Sequence, residues 1–300
     1  IEESRMRREA LTAVYDLEYA PVSYDVVPWL VRAMQRRDAE RCAGLHVAIV
    51  PKEDGLGGFS RHWGPHDAAA ALWRLWHIVL PACQLAGATV TLAMSRAHGR
   101  HLTKEHAPVW APVGDCHLDK HVVASAKAGG AVPVLRASKA ALRYVDAWLD
   151  GKRPVTLTLR NQSNDPARNA DPFHWEALGK WLETERGRCV VRLRDTNDAL
   201  QSGIGYAELD IDLRLALYER AEMNIVGNNG PAALLWHSSA PYMRVAAGLP
   251  KDWKANLGLE QGEQVPWAHG AQRLIYGEAS FERMRDAFAA WEAEGPDWIL

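Results

Sequence analysis

The sequence predicts an α/β protein made of two Rossmann-like domains facing each other across a cleft. Three observations carry this prediction. Strand and helix patterns alternate from residue 11 to residue 149, stop at Asp150-Gly151-Lys152-Arg153-Pro154, and begin again. The strands are short and apolar on successive residues, and the helices between them have one apolar face, as in parallel sheets covered on both sides. The chain's 300 residues also suit two domains of about 150 each. The first domain is therefore placed at residues 1–150 and the second at 151–300, with the last helix set to pack back on the first domain.

Within the first half, residues 11–20 read as a strand and Val26 to Arg37 as an amphipathic helix with Val27, Leu30, Val31 and Met34 on one side. Leu45–Val50 is a clear second strand, ended by Pro51. A long apolar helix is expected from Asp67 to Ala86, kinked or cut by Pro81. Thr89–Met94 gives a third strand, and Ser138 is a plausible N-cap for a helix reaching Leu149. In the second half, Val155–Leu159, Cys189–Leu193, Met223–Val226, Ala240–Ala246 and Gln272–Tyr276 read as strands. Helices are expected at Phe173–Thr184, Leu213–Ala221 and Phe281–Glu294.

Composition narrows the function classes. The chain is 48% hydrophobic and 24% charged with a formal net charge of −2, which is ordinary for a globular protein and argues against a nucleic-acid binder working by bulk electrostatics. No apolar run reaches membrane-spanning length, and IEESRMRREA reads as a charged helix start rather than a signal peptide. These features fit a cytoplasmic protein whose only membrane contact would be peripheral. Cys42, Cys83, Cys116 and Cys189 form no CxxC pair, so reduced thiols are expected. His98, His101, His106, His117 and His121 crowd residues 98–121, but no second tight cluster completes a ligand set, so neither metal nor cofactor is expected.

Chemistry should lie in the loops beyond the strands' C-terminal ends. After the strand ending at Val226, Gly227-Asn228-Asn229-Gly230-Pro231 reads as a tight turn opening a helix, a device suited to phosphate. The loop after Leu159 holds Arg160, Arg168 and Asn169, and the one after Leu193 holds Arg194, Asp195 and Thr196. Arginine forks and a glycine turn suit a diphosphate, while a carboxylate or amide can hold sugar hydroxyls. In the first half, DGLGGFSRHWGPHD offers Asp54 and His66 as general bases, with Gly57, Gly58, Arg61 and His62 on the acceptor side.

These residues carry a resemblance. VTLTLRNQSNDPARNADPFHWEALGKWLE, CVVRLRDTND and LRLALYERAEMNIVGNNGPAAL resemble the nucleotide-sugar-binding half of GT-B glycosyltransferases, most nearly the ADP-heptose-type heptosyltransferases. The glycine-rich loop with Asp54 is similar more loosely. The turn is one residue shorter than the family's Gly-Asn-Asp-Ser/Thr-Gly-Pro, and Arg160 or Arg168 replaces the family's lysine. RNQSNDPARN is also similar to the donor loop of fucosyltransferase-like folds, which admits a GDP-sugar. The resemblance implies a metal-independent transferase that takes a nucleotide sugar and passes its sugar to a saccharide or other hydroxyl acceptor. Asp54 would be its base, and the 227–231 turn would cradle the donor's phosphates. A non-catalytic nucleotide- or sugar-binding protein and a nucleotide-sugar epimerase are the alternatives.

Overall fold

The computed structural model describes residues 8–53, 68–105, 108–112, 119–161, 169–194, 207–246 and 257–295. The first half contains β1 (Arg8–Asp16), α1 (Val26–Ala39), β2 (Cys42–Val50), α2 (Ala68–Arg74), α3 (Leu80–Leu85), β3 (Thr89–Leu92), α4 (Arg96–Glu105), β4 (Val109–Trp110), α5 (Asp119–Lys127) and α6 (Lys139–Leu149). Its parallel sheet has the order β3-β2-β1-β4. The second half contains β5 (Val155–Thr158), α7 (Pro172–Thr184), β6 (Val190–Leu193), α8 (Ile211–Arg220), β7 (Met223–Val226), α9 (Ala232–Trp236), β8 (Tyr242–Ala246), β9 (Gln272–Tyr276) and α10 (Phe281–Glu294). A second parallel sheet runs β6-β5-β7-β8-β9. The architecture is α/β with two separate parallel sheets, as the alternating pattern predicts.

Several elements differ from expectation for identifiable reasons. Arg8–Ala10 belong to β1, not to a charged helix, because they pair with Cys42–Gly44 of β2. Pro81 falls in the first turn of α3, and a π-helical turn at Leu75–Val79 precedes it. The wider turn separates the proline ring from the carbonyl that it would otherwise strike four residues back, so helix continues without a sharp break. β4 is only two residues long, too short for periodicity to reveal. Arg96–Glu105 and Asp119–Lys127 form α4 and α5, two helices the sequence reading did not assign.

Two layers cover the second sheet. Val155, Leu157, Met223, Ile225, Met243 and Val245 face an aromatic layer in which Trp175 and Trp181 of α7 meet Phe288 and Trp291 of α10. α10 therefore packs on its own sheet and not back on the first half. The other face carries Thr156, Thr158, Asn224, Tyr242 and Arg244, all buried. Asn224 holds this face together: its side chain donates to the carbonyls of Tyr218 at 2.9 Å and Pro241 at 2.7 Å and accepts from Thr156 Oγ1 at 2.6 Å. Asn224 is thereby satisfied at full burial, whereas the buried Tyr242 hydroxyl has no hydrogen-bond partner among the described residues.

The halves share one continuous core, which includes Leu11, Val26 and Leu30 from the first and Leu215, Val226 and Leu234 from the second. α6, which lies before the boundary drawn at residue 150, packs along α8. Glu219 accepts the amide of Ala137, Asp212 accepts that of Ser138, and Arg220 forms a forked pair with Asp146. Glu219 and Arg220 thus serve separate contacts. Burial pushes the Glu219 carboxyl up, against the opposing hydrogen bond from Ala137.

A second junction joins the loop after β1 to the turn after β7. A Cβ placed on Gly230 would lie 2.5 Å from Cδ2 and 3.1 Å from Cγ of Tyr24. Glycine is needed there because a buried ring from the other half occupies the space a side chain would fill. Gly230→Ala should destabilise the protein by about 1–3 kcal/mol, the usual cost of overpacking, and the cost should shrink in a Tyr24→Ala background. Urea unfolding of the two single variants and the double variant measures this coupling. Equal costs in both backgrounds would show that the ring does not impose the glycine.

Candidate functional site

In the second sheet β5 lies between β6 and β7, so the chain leaves β5 first to one side and then returns to the other. In the first sheet β1 stands likewise between β2 and β4. Such switch points open a crevice beyond the strands' C-terminal ends, where ligands of α/β sheets bind. The Tyr24–Gly230 contact brings the two crevices together, because Tyr24 follows β1 and Gly230 follows β7.

On the second sheet's side, Leu159 continues the β5 ladder through its amide to Leu193 O at 3.1 Å. Alternation then turns Arg160 to the face of Thr158, towards α8. Arg160 is buried, and its guanidinium donates to Asn169 Oδ1 at 2.5 Å. The backbone closes the same loop, with the Ala170 amide on Arg160 O. Asn228 and Asn229 are also buried. Asn229 clamps the turn, since Nδ2 donates to Thr158 O at 3.2 Å while Oδ1 accepts the Ala232 amide at 3.1 Å. Asn228 Oδ1 accepts from Arg244 Nη2 at 2.8 Å.

This geometry changes the expected role of the turn. α9 has only five residues, so its dipole is small, and its first amide is already capped by Asn229. The turn is a firm, side-chain-clamped platform, and the guanidinium groups beside it are its main attraction for an anion.

At the end of β6, Arg194 is held through its backbone: its amide meets Glu208 Oε1 at 3.4 Å and its carbonyl accepts from Arg214 at 3.0 Å. Arg214 is fully buried and also donates to the carbonyls of Ala207 and Glu208. Burial opposes its charge, but Tyr218, Tyr24 and Glu208 outweigh that and raise its pKa above the ordinary arginine value. Tyr218 joins this brace to β5 through a 2.9 Å contact with Thr158 Oγ1.

On the first sheet's side, one aspartate ends β1 and another lies beyond it. Asp16 is locked in a forked pair with Arg96, at 2.7 Å on both oxygens. Asp25 is partly exposed beside Tyr24; it caps no amide of α1, and its Oδ2 accepts from Ser23 Oγ at 2.6 Å. Beyond β2 and β3 an open cavity of about 640 Å³ is lined by Lys52, Glu53, Met94, Ser95 and Arg96.

The structure thus gathers Arg160, Asn169, Asn228, Asn229 and Gly230 at the C-terminal end of the second sheet. Asp54, Gly57, Gly58, Arg61, His62, His66, Arg168, Asp195 and Thr196 lie outside the described residues, as do His106, Cys116 and His117. No group of three or more His, Cys, Asp or Glu suited to a metal occurs among the described residues. Sequence reasoning passed over Asp25 and Arg244. Asp25 had an available signal, since it stands between the first strand and the helix start at Val26. Arg244 sits in the middle of an apolar strand, where only the fold shows which end it is near.

The sequence matches no protein-family model and no curated protein. Its structure is similar to that of E. coli ADP-heptose LPS heptosyltransferase II, with a TM-score of 0.54 at 13% identity over 95% of this chain and 99% of that one. A glycosyl transferase family 9 protein from Veillonella parvula has a TM-score of 0.49 at 11% identity, covering 96% of this chain and 90% of that one. E. coli heptosyltransferase WaaC with ADP has a TM-score of 0.44 at 12% identity, covering 95% of this chain and 99% of that one. Two parallel sheets in that arrangement give this chain the GT-B fold of the heptosyltransferases.

Proposed function

We propose that this protein is a glycosyltransferase that moves a sugar from a nucleoside-diphosphate donor to an acceptor hydroxyl. The supporting observation is the junction at Tyr24 and Gly230. Asp25 follows Tyr24 in the chain, and the buried Arg160 follows β5, the strand paired with β7 from which the Gly230 turn leaves. Arg160 and the clamped 227–231 turn hold the diphosphate, and Arg168, Asp195 and Thr196, which lie outside the described residues, are assigned to the same donor. Asp25 takes the acceptor proton as the acceptor oxygen bonds the anomeric carbon and the bond from that carbon to the phosphate oxygen breaks. The electron pair of that bond leaves on the diphosphate, where guanidinium groups meet its charge and no metal is required. The cavity beside Lys52 and Ser95 receives part of a saccharide acceptor. The free thiols of Cys42, Cys83 and Cys189 suit a cytoplasmic location, and no helix among the described residues is long and apolar enough to cross a membrane.

Incubation with ADP-, GDP- and UDP-sugars tests this reading. Release of nucleoside diphosphate that depends on a saccharide acceptor is the expected result. Donor binding without turnover would make the chain a binding protein, and interconversion of the donor sugar without acceptor would make it an epimerase. Arg160→Ala should weaken nucleoside-diphosphate binding by about 1.5–3 kcal/mol, the scale of a hydrogen bond to a charged group. Calorimetry measures it, and an unchanged affinity would remove Arg160 from the donor site.

Asp25 and Asp54 compete for the role of base, and the position of Asp25 beside the junction favours it. Asp25→Asn should lower turnover by roughly 100-fold or more while leaving donor affinity near wild type, since general-base catalysis contributes on that scale. A comparable loss in Asp54→Asn or His66→Ala, with Asp25→Asn fully active, would place the base in the loop after β2.

A further inference from the structure

We infer that Trp76, with Met94 near it, forms a stacking subsite for a sugar ring of the acceptor other than the one that reacts, so that the acceptor is an oligosaccharide. The inference rests on the glycosyltransferase reading above and deepens it to a class of acceptor. Trp76 is 58% exposed, Leu72 42%, Leu92 39% and Met94 88%. Large apolar side chains exposed singly need no explanation, but a contiguous group of them marks a binding surface.

The fold gathers these four at one corner. The helical stretch from Ala68 to Leu85 enters the turn at Ala86–Ala88 and β3 leaves it, so the two lie antiparallel, with α3 packed on β3. At about 1.5 Å per helical residue and about 3.3 Å per strand residue, Trp76 and Leu92 both stand roughly 15 Å from that turn. Val90 packs into the core that holds Leu75 and Ile78, while Ala93 packs with Val14, Val50 and Leu102. Alternation therefore turns Leu92 to the helix side of the sheet. Ala71 and Leu75 are buried under the helix, and Leu72 and Trp76 follow each of them by roughly a quarter turn. With right-handed crossovers between parallel strands, that rotation points Leu72 and Trp76 over the edge strand β3, away from the flank on which α1 packs. Leu92 and Met94 also line the cavity of about 640 Å³ that holds Glu53 and Ser95. The apolar corner thus runs into the cavity given to the acceptor.

A pyranose ring has a face of C–H groups and a rim of hydroxyls. An indole face and a thioether suit the first, and the polar side chains of the cavity suit the second. Trp73 is stacked on His77 with ring centroids 4.6 Å apart, so Trp76 presents the open ring of this helix surface. An anionic membrane favours a cluster of cations, whereas Lys52 and Arg96 here are accompanied by Glu53 and Asp16. β3 lies two strands from β1, about 10 Å, and Asp25 follows β1. A ring at the corner is therefore a different sugar unit from the one whose hydroxyl reacts.

The test is calorimetric titration of the whole protein with a panel of mono-, di- and trisaccharides and the octyl glycosides of the monosaccharides. The best-bound oligosaccharide should bind about tenfold tighter than its terminal monosaccharide, the scale of one good aromatic contact. Trp76→Ala should remove that gain while monosaccharide affinity changes less than about twofold, and Trp76→Phe should keep most of it. Tyr144→Ala, which removes a similarly exposed ring elsewhere, should leave the gain intact. A gain that survives Trp76→Ala, in a variant with wild-type circular dichroism and melting, would overturn the inference. An equal gain from the octyl chain, lost in the same variant, would also overturn it, since the corner would then hold hydrocarbon. Should Trp76→Ala fail to fold, Met94→Ala provides the reading: a reduced gain supports the subsite, and an unchanged gain refutes it. Wild-type protein that binds no member of the panel refutes it as well. Oligosaccharide binding that depends on Trp76, with no release of nucleoside diphosphate from any donor, would sink the transferase reading and leave the subsite standing.

Discussion

The contact between Tyr24 and Gly230 is the constraint on which the rest of the site depends. Two parallel sheets could pack through their helices in many ways, but a ring seated where Gly230 has no side chain fixes one of them. It brings the C-terminal end of β1 to the C-terminal end of β7, the two places where each sheet is best able to bind a ligand. Tyr24 is itself buried, and its neighbours on the second side, Tyr218 and Arg214, belong to the network that braces β5 and β6. The junction, the strand ends and the loops beyond them are therefore mechanically linked. A shift at one of them is felt at the others through short hydrogen bonds rather than through solvent.

Much of this fold was legible in the sequence because its strands and helices follow simple physical patterns. Val155–Thr158, Met223–Val226 and Gln272–Tyr276 are short apolar runs bounded by polar or turn residues, and all three are strands where expected. Ser138 caps α6 through the amide of Ala141, as its position before an amphipathic run implied. What escaped was information held by tertiary structure. Arg8–Ala10 look like charged helix, and only the partner strand at Cys42–Gly44 makes them extended. The turn at Leu75–Val79 reflects the need to accommodate Pro81 within a continuing helix, a solution no propensity scale reports.

The candidate site was legible by residue type but not by role. Arg160 and the 227–231 turn stand where the strand-end argument put them. Yet the helix after the turn is short and its first amide already capped, so the dipole that suggested phosphate binding contributes little. The asparagines that looked like ligand contacts are buried clamps, tying Thr158 and Arg244 to the turn. Asp25 was passed over because a carboxylate just before a helix reads as an ordinary N-cap. The structure sets it apart by what it does not do: it caps no amide of α1, and its neighbour is the ring that closes the junction.

Buried arginines in this protein differ in the groups that hold them. Arg214 is spent on the carbonyls of Ala207, Arg194 and Glu208, all backbone groups of the segment it anchors. Burial opposes its charge, and Tyr218, Tyr24 and Glu208 act in the other direction. Arg160 and Arg244 each donate to an asparagine side-chain oxygen, that of Asn169 and that of Asn228. The same residue type at similar burial is thus tied to backbone carbonyls in one place and to side-chain amides in others.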